Sequence, residues 1–146
     1  IVGSSYADDL LNIFNHNIKS FIELRFDVDK TIEIMGLDVR LFQLWSNLIK
    51  NSIECMEDMT GLKKLNVYSK KNIKTVSIIV ENNGPVIPKD HLAKIFQKFY
   101  TTKGKRNGSG LGLSIVKNVL EEHNANISVK SNEQKTQFKI TFKKEK

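Results

Sequence analysis

Three short stretches hold side chains whose type and spacing suit phosphate or base chemistry. In "NLIKNSIECMED", Asn47, Asn51 and Glu54 fall at i, i+4 and i+7, so on a helix they share one stripe. Asparagine is a mediocre helix former. Its carboxamide oxygen is a hard ligand, suited to Mg²⁺ that also holds phosphate oxygens. The same stripe reads equally as plain solvent-facing polar positions, and the helix alone favours that reading. In "ENNGPVIP", Asn82 stands where an apolar run ends, and Gly84 permits close backbone approach. A side-chain amide there offers a base edge both a donor and an acceptor; an ordinary Asn-Gly turn is the plainer alternative. In "GSGLGLSIVKNV", Gly108, Gly110 and Gly112, with Ser109 and Leu111 between them, straddle the start of an apolar-periodic segment. Unpaired amides at a helix N-terminus favour anions, and bare glycines let phosphates reach them. Lys103, just upstream, could add a point charge. The spacing is not that of a P-loop, and no strand precedes it, so a dinucleotide fold is a poor fit.

These stretches need elements to hold them. "YADDLLNIFNHNIK" carries Leu10, Leu11, Ile13, Phe14 and Ile18 at helical spacing. "FIELRFDV" and "TIEIM" alternate, and "DKT" between them reads as a hairpin connection. Asp38 can cap a long helix running to about Met59, with Leu41, Leu44, Trp45, Leu48, Ser52 and Met56 on its buried face and Gly61 as its stop. "KLNVYSK" and "KTVSIIV" read as strands, and Pro88 opens a short helix through Phe96. "QKFYTTKGKRNGSG" is a polar loop of roughly a dozen residues, a length usually functional or disordered. The helix of "GLGLSIVKNVLEEH" follows, and "NISVKS" and "TQFKITF" close the chain as a hairpin. Antiparallel strands with interspersed helices predict an α/β sandwich: one sheet with helices on one face.

The chain has 146 residues, which fits one domain with one core. No apolar run approaches the roughly 20 residues a membrane span needs. A single cysteine, Cys55, excludes an internal disulfide and suits a reduced, cytoplasmic compartment, where it reads as a buried structural thiol. The net charge of +7 points to a polyanionic partner or simply a basic surface. No paired zinc ligands and no RNA-binding aromatic strand accompany it, so nucleic acid is not among the expected partners.

Taken in order, the stretches resemble a known set. "NLIKNSIEC" looks like the N box, "ENNGPVIP" the first glycine box, "KIFQKFYTTK" the F box, and "GSGLGLSIVKNVLEEHNANISVKS" the second glycine box of sensor histidine kinases. The similarity spans essentially the whole chain, residues 1–146. It implies the catalytic and ATP-binding domain, in the superfamily that includes gyrase, Hsp90 and MutL. The fold implied is the Bergerat two-layer α/β sandwich of α+β class: a mixed, mainly antiparallel sheet, helices on one face and a flexible ATP lid. The implied cofactors are ATP and Mg²⁺. Asn51 would bind Mg²⁺ with Asn47 supporting the metal–phosphate network. Asn82 would accept from the adenine amine, with Gly84 and Ile87 against the base. Phe96 and Phe99 would anchor the lid. Lys103 and the amides of Gly108, Ser109, Gly110, Leu111 and Gly112 would hold phosphates.

Three positions depart from the pattern. Asn82 replaces an Asp; its oxygen can still meet the amine, but its NH₂ must turn away. Val86 replaces a glycine, and Glu54 stands where some members carry a basic phosphate contact. The implied activity is transfer of the ATP γ-phosphate to a histidine, largely by positioning and charge neutralisation. His16, His91 and His123 are the only histidines, and none has the acidic context of the family's acceptor. A histidine-bearing dimerisation domain is therefore expected upstream, with a response regulator as downstream partner. The 146 residues alone are expected to be monomeric. The alternatives are a nucleotide-binding scaffold that no longer catalyses, and a serine kinase of the anti-sigma-factor type.

Overall fold

The structure, a computed structural model, describes residues 6–18, 22–32, 39–57, 59–92, 94 and 112–143. Helix α1 (Tyr6–Asn17) leads into strand β1 (Ile22–Asp27), then helix α2 (Val39–Cys55), strands β2 (Lys63–Lys71) and β3 (Thr75–Asn82), the short helix α3 (Lys89–Leu92), helix α4 (Gly112–Glu122), and strands β4 (Asn126–Ser131) and β5 (Thr136–Lys143). The five strands form one sheet in the order β1-β2-β3-β5-β4. β1 runs parallel to β2; all other neighbours are antiparallel. The α+β class, the mixed sheet and the single helical layer expected from the sequence are all present.

Strand alternation builds the two faces. Leu65 and Val67 on β2, Val76, Ile78 and Val80 on β3, and Phe138, Ile140 and Phe142 on β5 join the helices in one core. From α2 come Leu44, Trp45, Leu48 and Ile49, all fully buried. Ser52 sits on the same face, also fully buried, because its hydroxyl donates to the Leu48 carbonyl one turn back at 3.0 Å. α2 packs against both α1 and α4, and the Trp45 indole N–H donates to the Tyr6 hydroxyl at 2.8 Å. The other face of the sheet is polar and solvated on its outer strands, but along the central β3 it buries Ser77, Ile79 and Glu81. Tyr68 there donates to the Glu81 carboxylate at 2.7 Å, and Lys135 reaches the same oxygen at 3.2 Å. Burial, then that carboxylate, pushes the Tyr68 phenol up to about 12.

Asparagines set the turns. Asn72 accepts from the amides of Lys74 and Thr75, both at 2.8 Å, closing the β2–β3 hairpin. Asn132 does the same for Gln134 and Lys135 between β4 and β5, at 2.8 and 3.0 Å. α4 ends in a Schellman turn: Ala125 N–H bonds the Leu120 carbonyl at 2.9 Å, and Asn124 takes φ 53°.

One expectation is corrected and one lies largely outside the described residues. The long helix ends at Cys55, not near Met59. Beyond it the amides of Met56 and Glu57 reach back three residues, to Ile53 and Glu54, and tighten the last turn. Gly61, at φ 92°, instead turns the chain into β2. The hairpin partner expected for β1 is not seen: Thr31 and Ile32 are not strand, 33–38 lie outside the described residues, and β1 pairs with β2.

Candidate functional site

The two asparagine stretches meet at one end of the sheet. On α2, Asn47, Asn51 and Glu54 are half-buried along one stripe, beside the fully buried apolar one. The Asn51 carboxamide oxygen lies 4.0 Å from the Cys55 thiol, one turn on. That weak contact leaves the oxygen available to a stronger partner. The Cys55 carbonyl, where α2 ends, comes against Gly84. A Cβ added to Gly84 would stand 2.7 Å from that oxygen and 2.9 Å from Asn82 Oδ1. Gly84 is needed, then, because two backbone segments touch there. The chain of contacts Asn51–Cys55–Gly84–Asn82 joins the helix stripe to the strand end.

Asn82 is the last residue of β3 and points to the helical side, since Val76, Ile78 and Val80 do. It is 2% exposed. Its Oδ1 accepts the Gly84 N–H at 2.9 Å, while its Nδ2 is buried with no hydrogen-bond partner among the described residues. An orphaned buried donor is rare in native proteins and marks a place where a partner belongs.

The loop after β3 is pinned at both ends. Asn83 accepts the Lys64 N–H at 2.9 Å and donates to the Leu62 carbonyl at 2.8 Å, tying the loop to the entry of β2. The Ile87 N–H donates to Ser131 Oγ at 2.8 Å, at the exit of β4, and the Ile87 side chain packs half-buried on the core edge. Ser131 Oγ is in turn 2.6 Å from Thr136 Oγ1. Thr136 is fully buried and lies directly across from Asn82 in the β3–β5 register. Asn83, Ser131 and Thr136 position the site and were not singled out in the sequence. Only the doubled asparagine in "ENNG" is a local cue; Ser131 and Thr136 arrive through strand register.

Of the sequence-derived site residues, Asn51, Asn82 and Gly84 form one contiguous group, Asn47 lies one turn back on the Asn51 stripe, and Ile87 closes the loop. Gly112 is the first residue of α4, which packs on α2. Phe96, Phe99, Lys103, Gly108, Ser109, Gly110 and Leu111 lie outside the described residues. Among the described residues no three His, Cys, Asp or Glu side chains gather as a metal nest. A cation here would rest on an amide oxygen and on oxygens of its ligand, a donor set that suits Mg²⁺ better than zinc. No described helix is long and apolar enough to cross a membrane.

Residues 36–146 match the family described as "Histidine kinase-, DNA gyrase B-, and HSP90-like ATPase". The chain is 37% identical over 110 residues to the signal transduction histidine-protein kinase BaeS of Escherichia coli K12, covering 73% of this chain and 23% of that protein. It is 37% identical over 125 residues to sporulation kinase A of Bacillus subtilis 168, covering 85% of this chain and 20% of that protein. The chain thus spans about a quarter or less of the length of these relatives. The solved catalytic domain of histidine kinase ThkA superposes with a TM-score of 0.77 at 30% identity, over 94% of this chain and 90% of that one. The sheet, the helical layer and the paired asparagine segments therefore have one common source: the chain belongs to the family of histidine kinase-, DNA gyrase B- and HSP90-like ATPases.

Proposed function

We propose that this chain is the catalytic domain of a sensor histidine kinase. It binds ATP between α2 and the loop after β3, and the γ-phosphate passes to a histidine on a separate dimerisation domain, with a response regulator as the next acceptor. The observation that carries the reading is the contiguous group Asn51–Cys55–Gly84–Asn82, which sets a carboxamide oxygen held only by a thiol at 4.0 Å and a buried amide without a partner among the described residues at one end of the sheet. Mg²⁺ bound through Asn51 would neutralise phosphate charge. Asn47, on the same stripe, supports the phosphates, and Asn82 faces the base with Gly84 and Ile87 beside it. Phe96, Phe99 and Lys103 belong to a lid, and the amides from Gly108 to Gly112 receive phosphate oxygens at the start of α4. The work of these groups is orientation and charge neutralisation.

On this reading residues 1–146 are one domain, the phosphoacceptor domain belongs to a longer protein, and the domain draws on cytoplasmic ATP. A weakened nucleotide-binding module is the second reading. One observation favours it: the Asn82 oxygen already serves the Gly84 amide, leaving less for an adenine amine.

Melting with and without Mg²⁺-ADP or a non-hydrolysable ATP analogue tests the binding. Ligand that binds only the folded chain adds about 2.7 kcal/mol at a hundredfold excess over Kd. An unchanged melting temperature at millimolar nucleotide overturns the proposal. A shift with no transfer to a histidine in the full-length protein leaves the module reading.

A further inference from the structure

We infer that the outer face of the sheet is a docking surface for an anionic lipid bilayer. Strand alternation sends Lys64 and Lys70 of β2, Lys139 and Lys143 of β5 and Lys130 of β4 to the face away from the helices. Lys139 is half-buried and the other four are exposed. None of the five is ion-paired among the described residues. From β2 across to β4 the only outward carboxylate is Glu81, and it is buried and already held by Lys135 at 3.2 Å and Tyr68 at 2.7 Å. Acids return only on the edge strand β1, where Glu23 and Asp27 flank Arg25. The nucleotide site does not account for these lysines, because Asn51, Asn82 and Gly84 gather on the helical side.

Strands lie about 4.8 Å apart and residues about 3.4 Å apart along each, so the five ammonium groups stand on a field of roughly 15 Å by 20 Å. That is too wide to converge on one phosphate, and the partner is an extended anion. Single-stranded nucleic acid needs open aromatic faces for its bases. Tyr68, the aromatic on this face, is half-buried, with the Lys70 ammonium 6.0 Å from its ring centre and its hydroxyl bonded to Glu81. A protein partner needs an apolar centre to anchor on. The large aliphatic side chain here, Ile79, is fully buried. Lysine point charges without pocket or anchor suit headgroups, which ask for no register. One apolar point completes the surface. Ile73, in the β2–β3 turn at the end of this face, is 92% exposed beside Lys74. A side chain so placed can enter the boundary between headgroups and acyl chains.

The test is co-sedimentation of the chain with vesicles of phosphatidylcholine alone or mixed equally with phosphatidylglycerol. Binding is expected to the mixed vesicles only, and to weaken as salt rises. The triple variant Lys70→Gln, Lys130→Gln, Lys143→Gln should lose at least about tenfold in partitioning, and Ile73→Ser should weaken it several-fold. The triple variant Lys89→Gln, Lys94→Gln, Lys117→Gln removes the same charge off this face and should bind as wild type does. Equal binding to the two vesicles, or equal loss in the two triple variants, overturns the inference. So does a chain that ignores the vesicles but binds polyglutamate or an oligonucleotide, which gives the face to an acidic protein or a nucleic acid. Circular dichroism checks each variant; if the first triple variant does not fold, the wild type on the two vesicles decides. The melting shift with nucleotide is read separately, so the function proposed above stands or falls independently.

Discussion

The carbonyl oxygen of Cys55 lies 2.7 Å from the point where a Cβ on Gly84 would stand. The end of α2 is thus butted directly against the loop that follows β3, backbone to backbone. Gly84→Ala must push one of them aside, and overpacking of this kind costs about 1–3 kcal/mol. The urea midpoint should fall accordingly. A midpoint equal to wild type would mean that the contact yields freely.

Asn51 offers the α2 oxygen nearest this junction, engaged in the structure by a thiol at 4.0 Å. Asn51→Ala should leave the circular dichroism spectrum and the melting temperature of the free chain near wild type, since the residue is only half-buried. Nucleotide affinity measured with and without Mg²⁺ should then no longer differ. Persisting Mg²⁺ dependence would remove Asn51 from the metal role.

Tyr6 holds α1 to α2 through the Trp45 indole, at 2.8 Å in the core. Tyr6→Phe keeps the ring and strands a buried N–H, at a cost of about 1–3 kcal/mol. The chain has a single tryptophan, so its fluorescence follows the loss directly. Equal denaturation curves would show that another acceptor steps in.

Asp29 gives the pH dependence. Its carboxylate meets Lys71 at 2.8 Å and accepts from the Thr31 amide and hydroxyl at 2.8 and 2.7 Å. The Lys71 contact first, then the Thr31 bonds, hold its carboxyl well below the usual carboxylate range. A lowered folded-state value means that the stabilisation is complete above the unfolded value, near pH 4, and fades as pH falls further. Asp29→Asn should therefore be less stable than wild type at pH 7, with the gap closing toward about pH 2 in urea melts. A gap independent of pH would assign the effect to the lost hydrogen bonds alone.

Much of this fold is legible in the sequence because its elements are strongly periodic. α2 shows its buried stripe at Leu44, Trp45, Leu48 and Ser52, continued by Met56 in the turn beyond it, and each of these is fully buried. β5 alternates from Thr136 to Phe142, and so does its burial. The end of α2 was misjudged because nothing local marks it. The helix stops where Cys55 meets Gly84, some thirty residues on, and not where the glycine at 61 stands. The pairing of β1 with β2 is not legible because alternation names a strand but not its neighbour, and β2 lies beyond a helix. At the site, side-chain types pointed to Asn51 and Asn82. The direction of the Asn82 amide could not be read from them, since it is set by the Gly84 N–H.

The parallel pairing of β1 with β2 orders events in time. Ile22 finds its neighbour only at Lys63, after all of α2 has been synthesised, whereas β2 to β3 and β4 to β5 close across tight turns. β1 thus stays unpaired until β2 has been made, and meanwhile it is bare to other chains. Its outward residues, Glu23, Arg25 and Asp27, are all charged and exposed, and charge of both signs on a waiting strand discourages the wrong companion.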